Sequence, residues 1–384
     1  MRIAWLAQHL WPQTVGGVEL QVEALSRHMQ SFGHDVELWI GDFPRGEKQK
    51  LPDGRKVFGL GVKSSTGRLW RFNPVLKILQ ALKSSPDGLD VVYSPEPLLA
   101  TAHILLCTGI PIVYCPGGTI CGTLKWHFPE NPRENVFRKW LRPARQYLLA
   151  EKVCLRRSTG IVAVSSAVKK QMLRIHRQCG ARTRVIHTGY EPSEMLEKRE
   201  TKIFTGICVA RLHSIKNIGH LIRAWKLVRF PARQLLIVGD GSERAELEAL
   251  ARGDDTIRFL GERFDVPNLL AGSDVFVLPS LYEACPLAVI EAMGAGVPCI
   301  TLKSVPGISD VGASGELNVD SVTGFCVDPL DVAEMAGRID YLADHPGMRK
   351  TMADAARQRA FEQFTWKHAA MEYLHFGQAV VSQN

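Results

Sequence analysis

The chain opens with an apolar run, Ile3 to Leu10, broken by Pro12 and Gly16-Gly17, after which Val18, Val22, Leu25, Met29 and Phe32 recur at helical spacing up to Gly33. That order predicts a strand, a glycine loop and a helix. A second strand is predicted at Val36 to Ile40, and further apolar runs at Val91–Tyr93, Ile112–Tyr114, Ile161–Val164 and Val185–His187 alternate with helical stretches. Strands and helices in alternation predict a parallel α/β sheet.

From Glu194 to Lys202 the chain turns polar and charged, and a fresh series of strand-like runs then begins: Ile203–Val209, Leu235–Val238, Ile257–Leu260, Val275–Leu278 and Cys299–Leu302. Between them lie helical stripes such as Ile218, Leu221, Ile222, Trp225 and Val228. The expected organisation is an N-terminal Rossmann-like domain over residues 1–195, a second over 203–365, and a last helical stretch, 366–384, packing back across both. A chain of 384 residues is too long for one ordinary core, which fits two doubly wound domains facing one another across a cleft.

Composition narrows the class. Apolar residues at 46% and charged residues at 22% are the balance of a globular chain, not a disordered one. No apolar run approaches membrane-spanning length and the N-terminal run is short for a secretory signal, so a cytoplasmic protein is expected. The nine cysteines are odd in number and lack C-x-x-C spacing, which points to neither a disulfide framework nor a zinc site. The net charge of +8 is unevenly spread: residues 1–195 carry +12 and residues 196–384 carry −4.

Candidate chemistry is concentrated in the second half. Ser280 to Glu291 carries Glu283 and Glu291 with seven residues between them, after a strand and across the start of a helix near Pro286. In that setting the backbone N–H groups of Leu287 and Ala288 offer an anion site. Val209 to Asn217 places Arg211 and Lys216 five residues apart in the loop after the domain's first strand. Two cations at a strand end suit a diphosphate, whose charge must be held and then neutralised further as it leaves. Gly16-Gly17 at the first strand-to-helix turn lets backbone approach a phosphate. Taken singly, each feature has a plainer reading, as solvated surface charge or an ordinary tight turn.

Together they resemble glycosyltransferase family 4. Arg211/Lys216, Val238-Gly-Asp-Gly-Ser-Glu243, Phe259-Leu-Gly261, Ser273-Asp-Val-Phe-Val-Leu-Pro-Ser280, Glu283/Glu291, Ala292-Met-Gly-Ala-Gly-Val-Pro298 and Thr323-Gly324 stand in that family's order. The first half resembles it more loosely, at Gly16-Gly17, Gly33-His34, Val164-Ser165 and Thr188-Gly189. The resemblance implies a GT-B fold and a retaining transferase that uses a nucleotide-diphosphate sugar, UDP- or GDP-linked, with no metal or other cofactor. It implies that Arg211 and Lys216 grip the diphosphate, that Glu291 bonds the ribose hydroxyls and that Glu283 holds the transferred sugar. Gly16 and Gly17 would close on the phosphate, while Gly239 and the backbone around Arg263 would flank the base.

The chain departs from the family's pattern at Val113-Tyr-Cys-Pro-Gly-Gly-Thr119, where glycine stands at a place commonly held by histidine. His127 and Glu130 are the acceptor-side candidates to replace it, against the plainer reading of an ordinary loop. The expected acceptor is a glycan, a lipid-linked or a small molecule. The basic first half, with Arg138, Lys139, Arg142, Arg145, Arg156 and Arg157 on a helix predicted from Val136 to Arg157, raises peripheral contact with an anionic membrane. Rival readings are a sugar-nucleotide epimerase or phosphorylase of the same fold and a basic nucleic-acid-binding protein, although no aromatic-basic recognition module is visible and no nucleic-acid partner is expected.

Overall fold

The computed structural model describes residues 1–10, 16–44, 47–61, 88–106, 108–119, 136–192, 203–305 and 308–383, without the side chains of 136–144 and 312. The chain forms two compact units, Met1–Thr188 with Trp366–Asn384, and Gly189–Thr365. Both are α/β with parallel sheets of the Rossmann kind.

In the first unit the strands are β1 Arg2–Ala7, β2 Asp35–Ile40, β3 Lys48–Lys50, β4 Lys56–Gly59, β5 Val91–Ser94, β6 Ile112–Tyr114, β7 Gly160–Ala163 and β8 Thr183–Val185. Among the described residues they lie in the order β3-β4-β2-β1-β5-β6-β7-β8. All neighbours pair parallel except β3, which runs antiparallel to β4 at the edge. The central strands read as continuous apolar runs because both their faces are covered: Ile3 to Leu6 and Val91 to Tyr93 are wholly buried. The helices are α1 Gly17–Ser31, α2 Pro97–Leu105, α3 Val136–Arg157, α4 Ser166–Ile175 and, from the far end of the chain, Trp366–Ser382.

That last helix belongs to this unit because its buried face meets the sheet and α1. Trp5 and Tyr93 stack with ring centroids 5.1 Å apart, and Tyr373 lies 5.8 Å from Tyr93. The Tyr93 hydroxyl donates to the Tyr373 carbonyl at 2.8 Å, and the Gln21 amide donates to the Tyr373 hydroxyl at 2.9 Å.

In the second unit the strands are β9 Phe204–Val209, β10 Arg233–Val238, β11 Ile257–Gly261, β12 Val275–Leu278, β13 Cys299–Leu302 and β14 Gly324–Val327. Their order is β11-β10-β9-β12-β13-β14, all parallel. The helices are α5 Ile218–Leu227, α6 Arg244–Ala251, α7 Val266–Ala271, α8 Leu287–Gly294, α9 Gly312–Leu317, α10 Val332–Asp344 and α11 Pro346–Gln363, and the Trp366–Ser382 helix is α12. Apolar clusters fill both faces of the sheet, one around Trp225, Leu235 and Ile339, the other around Phe276, Ile290 and Met293.

The sequence pattern missed β3, β4 and β14. β3 is a fully exposed Lys-Gln-Lys edge with no apolar alternation. The seven described cysteines are all free.

Candidate functional site

The order of the second sheet reverses between β9 and β12, neighbours that are not consecutive in the chain. Ligands of open α/β sheets bind beyond the carboxyl ends of the strands at such a reversal. The loop after β9 carries Arg211 and Lys216, and the loop after β12 carries Glu283.

Lys216 closes a single 3-10 turn, Ser214–Lys216. His213 caps that turn through its ring nitrogen, and Asn217 ends it in the left-handed region at φ 52°. Glu283 is set by short backbone pairings: Asp310 N–H donates to Leu281 at 2.7 Å, and Leu281 N–H donates to the Ile215 carbonyl at 2.8 Å. The last bond ties the two loops together beside Lys216. Lys216 Nζ consequently lies 2.6 Å from Glu283 Oε1 with both groups half-buried. The fully buried hydroxyl of Ser280, three residues earlier, has no hydrogen-bond partner among the described residues.

Arg211 is exposed, and its guanidinium makes no ion pair or hydrogen bond among the described residues. Its backbone is nonetheless fixed. Ala210 N–H donates to the Val238 carbonyl at 3.0 Å and Leu212 N–H to the Asp240 carbonyl at 2.8 Å. Gly239 makes that approach possible: its φ is +124°, and a Cβ there would stand 2.0 Å from the Ala210 carbonyl oxygen. A backbone-held loop thus presents a cation that nothing among the described residues neutralises.

Pro286 is the N-cap of α8, so the helix begins at Leu287. The first amides returned to the helix are those of Val289 and Ile290, both bonded to the Pro286 carbonyl. Those of Leu287 and Ala288 have no partner among the described residues, the arrangement that favours an anion at a helix start. Glu291, in the second turn, is half-buried and its carboxylate likewise has no hydrogen-bond partner there. Burial pushes its carboxyl above the usual carboxylate range. Arg263 is exposed and forms a bidentate pair with Asp265 at 2.7 and 2.8 Å, which leaves the local backbone rather than the guanidinium available. Next to it Phe264 is completely exposed, a feature the motif reading passed over.

In the first unit, Gly16 is the N-cap of α1. The Glu19 carboxylate folds over it so closely that a Cβ on Gly16 would lie 2.2 Å from Glu19 Oε2. His127 and Glu130 lie outside the described residues. No group of three or more metal-ligating side chains occurs among the described residues, and none of their helices is long and apolar enough to cross a membrane.

Two family models match successive parts of the chain: Glycosyltransferase Family 4 over residues 15–194 and Glycosyl transferases group 1 over residues 191–359. An uncharacterized glycosyltransferase of Haemophilus influenzae is 31% identical over 171 residues, which is 43% of this chain and 46% of that relative. A glycogen synthase of Mycobacterium tuberculosis is 25% identical over 96% of this chain and 92% of its own length. Among solved structures, sucrose-phosphate synthase from Thermosynechococcus elongatus superimposes with a TM-score of 0.77 at 19% identity, covering 100% of both chains. Anabaena HepE in complex with UDP superimposes with a TM-score of 0.75 at 20% identity over 99% of this chain and 100% of its own.

Proposed function

We propose that this chain, a glycosyltransferase of the GT-B type, moves a sugar from a UDP- or GDP-linked donor to an acceptor hydroxyl with retention of anomeric configuration and without a metal ion. The observation that carries the reading is the contact between Lys216 and Glu283 at the β9/β12 reversal, together with Arg211 on the same loop as Lys216, whose backbone is held and whose guanidinium has no partner among the described residues.

Arg211 and Lys216 would take the donor's diphosphate, and the free amides of Leu287 and Ala288 would add donors to it. Glu291, dehydrated and unpartnered, would accept hydrogen bonds from the ribose hydroxyls. Glu283 has one oxygen engaged with Lys216; the other would orient the transferred sugar. Gly239 and the backbone near Arg263 would border the base.

In the reaction the bond between the anomeric carbon and the β-phosphate oxygen breaks, and its electron pair goes to that oxygen. The acceptor oxygen forms the new bond on the same face, and its proton passes to the leaving phosphate. Charge on the departing diphosphate grows as the bond breaks, so two cations gripping it would stabilise the transition state more than the ground state. Their two positive charges perform the neutralisation that a divalent ion performs elsewhere, which supports the metal-free reading.

A panel of nucleotide sugars tests the donor reading by thermal melting, because a ligand that binds only the native state raises apparent stability. NMR of the product then reports its anomeric configuration. Lack of stabilisation by any UDP- or GDP-sugar would overturn the assignment. An isomerised donor without transfer would favour the epimerase reading.

A further inference from the structure

Glu283 stands five residues beyond the end of β12, so its place depends on what its loop leans against rather than on the strand. One support is Ile215, already described beside Lys216. The other is Asp310, which flanks the loop as a parallel strand would. Its N–H donates to the Leu281 carbonyl at 2.7 Å and its carbonyl accepts from the Glu283 N–H at 3.4 Å, with Tyr282 between them. A bridge of two backbone bonds outside any ladder is weak unless Asp310 is itself held.

The residue before it does the holding. Ser309 is 5% exposed, and its hydroxyl donates to the Lys303 carbonyl at 2.7 Å while accepting from the Val305 N–H at 2.9 Å. Lys303 directly follows β13, and its own N–H donates to the Val327 carbonyl of β14 at 2.8 Å. On the far side of Asp310, the Val311 N–H donates to the Ser304 hydroxyl at 3.1 Å. A path of bonds therefore runs from the ends of β13 and β14 through the Ser309 hydroxyl to Asp310 and the backbone of Glu283. The Ser309 hydrogen is committed to a protein carbonyl, so this side chain acts on the site through its neighbours.

We infer that Ser309 is a positioning residue for the transferred sugar: through Asp310 it holds Glu283 so that one carboxylate oxygen pairs with Lys216 and the other meets a sugar hydroxyl. The inference rests on the donor reading above and deepens it. Without the Ser309 hydroxyl the Asp310 side slackens, while the Lys216–Glu283 contact at 2.6 Å and the Leu281–Ile215 bond remain. The grip on the diphosphate then survives and the sugar contact is lost. The signature is a split between nucleotide and nucleotide sugar.

Titration calorimetry on the full chain, with UDP, UDP-glucose, UDP-galactose, UDP-N-acetylglucosamine, GDP and GDP-mannose, identifies the sugar donor that the wild type binds. The ratio of its Kd to that of its own nucleotide is then followed in variants. Ser309→Ala should raise the ratio about tenfold while the nucleotide Kd stays within about twofold of wild type, and Ser309→Thr, which keeps the hydroxyl, should restore it. Ser273→Ala is the structural control, because it removes another buried hydroxyl, bonded to the Leu269 carbonyl at 2.7 Å ahead of β12. It should lower the melting temperature without moving the ratio. Melting curves establish that each variant folds; should Ser309→Ala fail to, Ser304→Ala loosens the same loop from the Val311 side and should raise the ratio about threefold. A wild-type ratio in Ser309→Ala, equal weakening of nucleotide and nucleotide sugar, or the same split in Ser273→Ala would overturn the inference alone. No binding of any nucleotide or nucleotide sugar to the wild type would overturn the donor reading as well.

Discussion

Lys216 and Glu283 are 67 residues apart in the chain, yet their charged atoms meet at 2.6 Å where the second sheet reverses its order. The pair is held half-buried by a backbone bond between their loops, from Leu281 to Ile215. An ion pair built this way costs desolvation unless a further partner shares it. A diphosphate sugar, with an anion for Lys216 and hydroxyls for Glu283, would be such a partner.

Lys216→Ala and Arg211→Ala should each lower kcat by roughly 100-fold or more, because each removes charge that matters most as the diphosphate leaves. Arg211→Ala should leave thermal stability unchanged, since its side chain has no partner among the described residues. Steady-state kinetics decide; near wild-type turnover in both variants would refute the clamp.

Glu291→Gln should raise the donor Kd by about 10-fold with a smaller effect on kcat, because ribose hydroxyls change little during transfer. Burial raises this carboxyl's folded pKa, so the native state holds its proton more tightly than the unfolded chain. Wild-type stability relative to Glu291→Gln should therefore fall as pH rises through that raised value. Paired melting curves across pH 4 to 8 check the sign.

Gly239→Ala should destabilise the second unit by about 1–3 kcal/mol, since φ is +124° and the added methyl meets the Ala210 carbonyl. The same collision pushes on Arg211, so donor affinity should drop as well. Denaturant unfolding and nucleotide titration read the two effects.

Treatment with EDTA should leave transfer unaffected if Arg211 and Lys216 carry the charge neutralisation. A strict requirement for added Mg²⁺ or Mn²⁺ would contradict that division of labour.

On α3, Arg145, Leu149, Lys152, Arg156 and Arg157 are exposed together, Leu149 at 63%. If this face meets an anionic bilayer, the chain should sediment with anionic but not neutral vesicles at about 0.1 M salt. It should be released at about 1 M, where the Debye length falls from about 10 Å to about 3 Å. Equal recovery in all supernatants would make the face plain solvated surface.

The succession of strands and helices was legible in the residue order alone. Strands buried on both faces must be continuously apolar and helices must carry a 3.6-residue stripe, so β1, β2, β9 and β12 were legible from a single chain. It also marked Arg211, Lys216, Glu283 and Glu291 as chemically unusual for their places at strand and helix ends. What it did not contain was strand order. The reversal at β9/β12 follows from pairings between distant segments, and those pairings alone bring Lys216 to Glu283. Ser309 in Ile-Ser-Asp looks like an ordinary loop serine until the fold buries it, sets its hydroxyl on the Lys303 carbonyl and lays Asp310 against Leu281. Local propensity is a property of neighbours in sequence, whereas dehydration and charge coupling depend on neighbours in space, and only the tertiary structure supplies those.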